Sequence, residues 1–434
     1  MLITFQIFKN PRQAVCIRLF MGNNRVVITG LGVVSPIGNG VEGFWPALIA
    51  GTNGIFRLSH FDPTSYRSQM AGEVKGFNPE DWMDGKMVPR LDRFVHFGLA
   101  ASTMALRDAG LESGSFDSYR AGVIIGSGIG GSRSIEDAFL TLLDKGPKAI
   151  SPFTVTKSLI NTAACQVSIT HGLKGPLSSL SVACSTGSNA IGDASRIIER
   201  GDADIMLAGG AEACLTPLPF GGFCATRSMS ARNDDPETAS RPFDKTRDGF
   251  VMGEGAGVVV LENLDFAIKR GARIYGEIIG YGCTADAFHM TAPDPSGDGM
   301  ARCMKAALGD AGIPLEKIGH INAHGTSTPM NDKSESAAII SVFGAHAEKI
   351  KVSSNKSMIG HLLAAAGAVE FCASAMSVYS GIVPPTINHG EPDPDCPLDY
   401  VVHGAETVHP EAVLSNSFGF GGGNASLIIT KLRN

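Results

Sequence analysis

Cys184 stands in the run Val182-Ala-Cys-Ser-Thr-Gly187, where the residue pattern changes period. Before it, Leu180 and Val182 alternate with small residues, as a strand requires. After it, Ile191, Ala194, Ile197 and Ile198 recur at helical spacing. The pattern predicts a strand that turns sharply into a helix, and the small neighbours Ala183, Ser185 and Gly187 permit such a turn. A thiol there faces the free N–H groups and positive end of a helix, a setting that favours thiolate over the ordinary value of about 8.5. The chemistry this suits is covalent acyl transfer to sulfur. A free cysteine is more often a packing residue, so the reading depends on partners elsewhere in the chain.

Three stretches of the second half supply them. His324 follows the strand-like His320-Ile321 in Asn322-Ala-His324-Gly-Thr326-Ser-Thr328. Lys356 and His361 fall in Asn355-Lys356-Ser-Met-Ile-Gly360-His361, with a helix expected to continue to Glu370. The glycine-rich Ser415-Asn-Ser-Phe418-Gly-Phe420-Gly-Gly-Gly-Asn424 precedes a final strand, where backbone N–H groups can approach a developing oxyanion. Either histidine alone would more often be structural. Two of them beside strand-end glycine turns, together with the cysteine elbow, make a catalytic set.

The elements that must position these groups alternate between strand and helix. A strand from Arg25, a helix holding Phe44, Trp45, Leu48 and Ile49, a helix from Phe94 to Asp108 and a strand at Ala121–Ile125 lead to the elbow. The second part echoes the first. Ala105-Leu-Arg-Asp-Ala-Gly110 returns as Ala307-Leu-Gly-Asp-Ala-Gly312, and the strand from Arg25 has a counterpart from Arg273. The elbow itself corresponds to Val352–Ser357 and the helix carrying His361. A repeat this long implies two similar α/β halves, residues 22–271 and 272–434, after an extension at 1–21. The run Gly126-Ser-Gly-Ile-Gly-Gly131 lacks the GxGxxG spacing of a dinucleotide site.

Composition narrows the partners. The 434 residues are 44% hydrophobic and 18% charged, with a net charge of −6, which gives no reason to expect nucleic acid or an anionic membrane. No run approaches the 18 or more apolar residues of a membrane-spanning helix. Nine widely spaced cysteines without C-x-x-C argue against a disulfide framework or zinc site and for a reducing compartment. Lys9, Arg12 and Arg18 make the first twenty residues basic, and no acid occurs before Glu42. The expectation is a dispensable extension on a cytoplasmic protein, with a mitochondrial presequence as the alternative.

On these motifs the chain resembles the condensing enzymes of the thiolase superfamily, in particular the type II β-ketoacyl–acyl carrier protein synthases of fatty acid synthesis. The resemblance runs from Arg25 to Lys431. It rests on VACSTG at 182–187, SRPFDKTRDGFVMGEGAG at 240–257, NAHGTSTPMND at 322–332, NKSMIGHLLAAAG at 355–367 and NSFGFGGGN at 416–424. It implies a thiolase-like α/β fold of two βαβαβαββ halves in a five-layered α-β-α-β-α core. It implies Cys184 as nucleophile, His324 and His361 as its triad partners, Lys356 as an active-site lysine and Glu370 as a supporting carboxylate. Cys184 and Phe420 would supply the oxyanion hole, with Phe420 also the gate. Thr326 and Thr328 would bond the pantetheine arm, and Ile129, Thr154, Phe223 and Phe420 would line the acyl pocket.

The reaction so implied is decarboxylative condensation of an acyl-cysteine with malonyl–acyl carrier protein. It uses no cofactor beyond the 4'-phosphopantetheine that the carrier brings. Lys86, Arg90, Lys148 and Arg227 match carrier-docking positions, and a homodimer is implied by resemblance alone. Asp332 and Glu335 match an acidic cluster that holds a structural cation in some relatives; no metal is assigned here. Gly423 departs from the family, which commonly has Thr in GFGGTN. A polyketide-type ketosynthase would carry the same triad. A degradative thiolase would need a second cysteine where the chain reads Phe418-Gly-Phe420, and a non-catalytic partner subunit would lack Cys184.

Overall fold

The strand–helix alternation read from Arg25 is realised twice, in the same order and with the same strand directions. The computed structural model describes residues 24–112 and 114–433, so the extension at 1–21 lies outside the described residues. The first repeat is β1 (Val26–Ser35), α1 (Arg93–Asp108), β2 (Ala121–Gly126), α2 (Thr162–His171), β3 (Leu177–Ser178), α3 (Thr186–Glu199), β4 (Ile205–Glu212) and β5 (Gly255–Asn263). The second is β6 (Gly276–Ala285), α4 (Asp298–Ala311), β7 (Ile318–Asn322), α5 (Pro329–Phe343), β8 (Lys351–Ser353), α6 (Ala366–Ser380), β9 (Ala412–Phe418) and β10 (Gly423–Thr430).

Strands lie in the order β1-β5-β4-β2-β3 in one half and β6-β10-β9-β7-β8 in the other. In each half the first two junctions are antiparallel and the last two parallel. The halves are also hydrogen-bonded to each other. β1 and β6 pair antiparallel through Val26↔Ile278, Val27↔Glu277 and Ile28↔Gly276.

Glycine spacing explains why the outer helices lie where they do. A Cβ on Gly30 or Gly32 of β1 would come within 2.2 or 1.9 Å of the Ala105 or Ala101 carbonyl oxygen, so α1 rests directly on the strand. β6 repeats the device with Gly280 and Gly282 beneath Ala307 and Cys303 of α4. α1 and α2 thus cover the outer face of the first sheet, while α4, with α5 beside it, covers that of the second. α3 and α6 touch strands of both halves and form the middle layer, completing the five-layered core. They cross closely at small residues. A Cβ on Gly187 would stand 2.7 Å from the Ala368 nitrogen, and one on Gly367 would stand 2.3 Å from Ser188 Oγ.

The window Leu363–Ser380 amends one expectation. Its mean hydropathy of 1.3 over 18 residues is apolar enough for a membrane helix by composition, yet 89% of it is buried inside the protein as α6 and its lead-in. Membrane-like composition here reflects contact with protein on every side.

Candidate active site

The elbow differs from the strand–helix turn expected. The strand is only Leu177–Ser178, paired with Val123 and Ile124 of β2, and residues 179–185 follow as irregular chain. Side chains replace ladder bonds there: Val182 N donates to Thr186 Oγ1 at 2.8 Å, and Thr186 Oγ1 donates to the Ala183 carbonyl at 2.7 Å. Ala183 holds φ at 46°, a left-handed conformation costing on the order of 1 kcal/mol in a non-glycine residue. It sets buried Cys184 just before the N-terminus of α3.

His324 follows β7, and its loop is held from behind by two carboxylates of α5. Glu335 accepts from the N–H groups of His324 and Gly325 at 2.9 and 2.8 Å. Asp332 accepts from those of Thr326 and Ser327 at 2.9 and 3.1 Å, and from Phe243 N at 2.9 Å. Asp332 and Glu335 therefore act as clamps on the His324 loop. The chain's buried oxygens without a donor among the described residues include Asn322 Oδ1, Glu370 Oε2 and Ser415 Oγ. Asn322 and Ser415 are register partners across β7 and β9, and Asn322 Nδ2 donates to the Glu370 carbonyl at 3.3 Å. These three acceptors have bonding capacity left for a cation or ordered water.

His361 corrects a second expectation, because no continuous helix carries it. The helix Lys356–Ile359 ends at Gly360, whose φ is +73°, and α6 begins only at Ala366. His361 lies in the break, held as if in a strand: its N–H donates to the Val251 carbonyl at 2.7 Å, and its carbonyl accepts from Gly253 N at 2.8 Å. The 240–257 motif thus contributes a backbone template for this histidine.

Cys184, His324 and His361 converge, with one ligand-capable atom from each lying within 4.8 Å of the others, and the imidazoles meet edge to face at 5.3 Å. Leu363 N donates to His361 Nδ1 at 3.2 Å. Lys356 Nζ lies 3.3 Å from His324 Nδ1 and donates to the His324 carbonyl at 2.6 Å. With each Nδ1 acting as acceptor, each ring carries its proton on Nε2. Lys356 also pairs with Glu370, both buried.

Burial holds both histidines well below the usual imidazole range, with the Lys356 charge acting in the same direction. Burial likewise pushes Cys184 up to about 11, against a hydrogen bond from the Phe420 backbone and the charge of Lys356. Burial thus opposes the thiolate read from the helix end. With the sulfur out of water, the resting site is a neutral thiol beside two neutral imidazoles.

A cavity of about 360 Å³ opens onto these groups. Its lining includes Phe223, Phe420, Thr326, Thr328 and, at an exposed position, Arg227. Thr326 Oγ1 and Thr328 Oγ1 lie 2.9 Å apart. Ile129 does not line this cavity. It packs in the apolar cluster behind Cys184 with Phe223, Phe250 and Leu363. Thr154 does neither, since it begins the short helix Thr154–Ser158, whose residues are half-buried or exposed. Lys86, Arg90 and Lys148 are exposed, with the Arg90 guanidinium 5.3 Å from the Phe153 ring centre.

The glycine loop is tied more firmly than its composition suggests. Gly419 N donates to the Gly423 carbonyl at 2.8 Å, and Asp286 N to that of Gly422 at 2.9 Å. Asn424 Nδ2 donates to Asp286 Oδ1 at 2.6 Å. Nothing in the motifs marks Asp286, which reaches the loop from the end of β6. A Cβ on Gly423 would stand 2.6 Å from Val182 Cγ1, so in this chain a Val182 methyl fills the space a threonine at 423 would need.

Residues 23–267 match the family model of the β-ketoacyl synthase N-terminal domain, and residues 275–389 that of the C-terminal domain. The chain is 50% identical over 412 residues to 3-oxoacyl-[acyl-carrier-protein] synthase 2 of Coxiella burnetii, covering 95% of this chain and 100% of that one. A solved β-ketoacyl synthase from Burkholderia phymatum superposes with a TM-score of 0.88 at 40% identity, over 94% of this chain and 100% of the other. A ketosynthase solved in complex with a type II polyketide acyl carrier protein gives 0.88 at 36% identity, over 94% and 100%. This chain belongs to the β-ketoacyl synthase family.

Proposed function

We propose that the protein is a β-ketoacyl–acyl carrier protein synthase that elongates fatty acyl chains by two carbons. The observation that carries this is the pair of neutral imidazoles whose Nδ1 atoms are both engaged as acceptors, leaving two Nε2–H donors beside a cysteine at a helix N-terminus. An acyl thioester on the 4'-phosphopantetheine arm passes Thr326 and Thr328. Its carbonyl carbon bonds to Cys184 Sγ, the bond to the arm's sulfur breaks, and the cysteine proton goes to that sulfur. The N–H groups of Cys184 and Phe420 receive the oxyanion.

A malonyl thioester then loses CO2, and the electron pair of the broken bond becomes an enolate. Its oxygen accepts from His324 and His361, and its carbon attacks the acyl carbonyl and expels Cys184. No strong base is required, because decarboxylation itself makes the carbanion. Removing one such donor should cost on the order of 10²–10³ in rate. Identity of 50% to a synthase 2, against 36% to the polyketide ketosynthase, favours the fatty acid reading.

Intact-protein mass spectrometry with acyl carrier protein thioesters tests this. Wild type should gain the acyl mass and, given malonyl carrier, release a product two carbons longer, while Cys184→Ala gains nothing. Absence of acylation at every chain length would overturn it.

A homodimer is proposed with it. The helix Ser132–Lys145 exposes Ile135, Phe139, Leu140 and Leu143, and β3, with Leu177 exposed, ends the sheet. An apolar face beside an open strand edge suits a second copy of the chain. Sedimentation as a monomer at micromolar concentration would overturn this. A cytoplasmic setting is proposed too, in keeping with eight cysteines present as free thiols among the described residues; oxidation of these to disulfides in the purified protein would count against it.

A further inference from the structure

Tyr281 belongs to β6 of the second half, yet its hydroxyl ends on α3, the helix of the first half that Cys184 precedes. The ring lies against bare backbone, since a Cβ on Gly192 of α3 would stand 2.5 Å from it. One turn further along α3, the Arg196 guanidinium lies 5.9 Å from the ring centre. Tyr281 N donates at 2.8 Å to Asp310 Oδ2, the oxygen that also pairs with Arg196. With backbone and ring so held, the hydroxyl donates to Asn189 Oδ1 at 2.6 Å; the Asp193 carboxylate is farther, at 3.4 Å.

Asn189 is buried, and its amide passes the tie on. Nδ2 donates to the Ser185 carbonyl and to Ser185 Oγ, both at 3.0 Å. Ser185 Oγ in turn donates to the Val182 carbonyl at 2.9 Å. Every hydrogen points the same way, from the second half toward the elbow, so each bond polarises the next. The chain of donors ends at the entrance to Ala183, whose left-handed φ of 46° persists only where its surroundings hold it. The same carbonyl borders the glycine loop: a Cβ on Gly419 would stand 2.9 Å from Val182 O and 3.2 Å from Cys184 N. Among the described residues the Tyr281 hydroxyl is the one donor to Asn189 Oδ1. Without it the buried amide is free to turn over, and its oxygen would then face the Ser185 carbonyl with no hydrogen between them.

We propose that Tyr281 is a positioning residue for the nucleophile: through Asn189 and Ser185, its hydroxyl fixes the turn that presents the sulfur and the N–H of Cys184. The proposal rests on the condensing reaction proposed above. The second half, which supplies both histidines, thereby sets the geometry of the cysteine as well.

Tyr281→Phe keeps the ring on Gly192 and removes only the oxygen. Acylation of Cys184 by an acyl carrier protein thioester, which uses the sulfur and its N–H, is followed by mass. Decarboxylation of malonyl carrier protein by the unacylated enzyme uses His324 and His361 but not the elbow. There the enolate takes a proton from water, and the acetyl carrier protein formed is followed by mass. In Tyr281→Phe, acylation should fall about tenfold, short of the about 10²-fold that a 1 Å displacement can cost, while decarboxylation stays within about twofold. Asn189→Ala, which removes the link next to the elbow, should lose at least as much acylation. In that background Tyr281→Phe should cost nothing further, as for residues of one network. A hydroxyl that merely stabilises the fold would lower both activities together, or cost one factor with and without Asn189. Either result, or acylation within twofold of wild type in Tyr281→Phe, overturns the inference. Tyr281→Phe alone carries the test should Asn189→Ala not fold. Wild-type acylation and elongation in the same assay report separately on the condensing reaction itself.

Discussion

Burial pushes the Cys184 thiol up to about 11, against the Phe420 N–H and the Lys356 charge, both of which favour the thiolate. A raised thiol means that the thiolate fraction is small at neutral pH and grows tenfold per unit until the value is approached. Alkylation of Cys184 by iodoacetamide, followed at that residue by mass spectrometry, should therefore climb through pH 7 to about 9.5 without a plateau. A plateau below pH 7 would mean a standing thiolate–imidazolium pair and would overturn the neutral-site description. Because the Lys356 charge lowers the thiol, Lys356→Met should slow alkylation further at every pH. At this scale the residue types were legible in the sequence: Cys184, His324, His361 and Lys356 meet as their motifs imply. Their protonation was not, because it depends on how much water the completed fold excludes.

The repeat, the elbow helix and the glycine loops could be read from periodicity and spacing, but the break at Gly360 and His361 could not. Α helix buried on every side, as α6 is, has no polar face, so its pattern gives no period against which a break would show. The Asp332 and Glu335 clamps were invisible for a related reason, since a carboxylate that serves backbone N–H groups looks in sequence like one that holds a cation. Element packing makes its own prediction. At Gly187 a Cβ would meet the Ala368 nitrogen at 2.7 Å, where α3 crosses α6, whereas at Gly222, also helical, nothing lies within 4 Å. Gly187→Ala should destabilise the protein by about 1–3 kcal/mol through overpacking and slow acylation of Cys184. Gly222→Ala should be neutral or gain up to about 1 kcal/mol from helix propensity. Equal melting temperatures for the two variants would show that the α3–α6 crossing has room to spare.

At the scale of the whole molecule the question is how a chain of net charge −6 would admit the acyl carrier protein proposed as its partner, carrier proteins of this kind being acidic. The field far from the surface repels such a partner, so attraction must be local and within a Debye length of about 10 Å at 0.1 M salt. Lys86, Arg90, Lys148 and Arg227 are all exposed, and Arg227 stands at the cavity that leads to Cys184. Arg90 lies over Phe153, so the segment holding Lys148 and the one holding Lys86 are adjacent on the surface. Charge reversal of the four to Glu should raise the KM for carrier-borne substrates, in the manner of charges that steer encounter. The kcat for a small acyl thioester, which needs no docking surface, should stay as it was. The wild-type KM should rise with added salt, and that dependence should flatten or invert in the reversed variant. A loss shared equally by carrier and small-thioester substrates would place these residues in the fold rather than at the docking face, and the approach of the carrier would then have to be sought on another side of the cavity mouth.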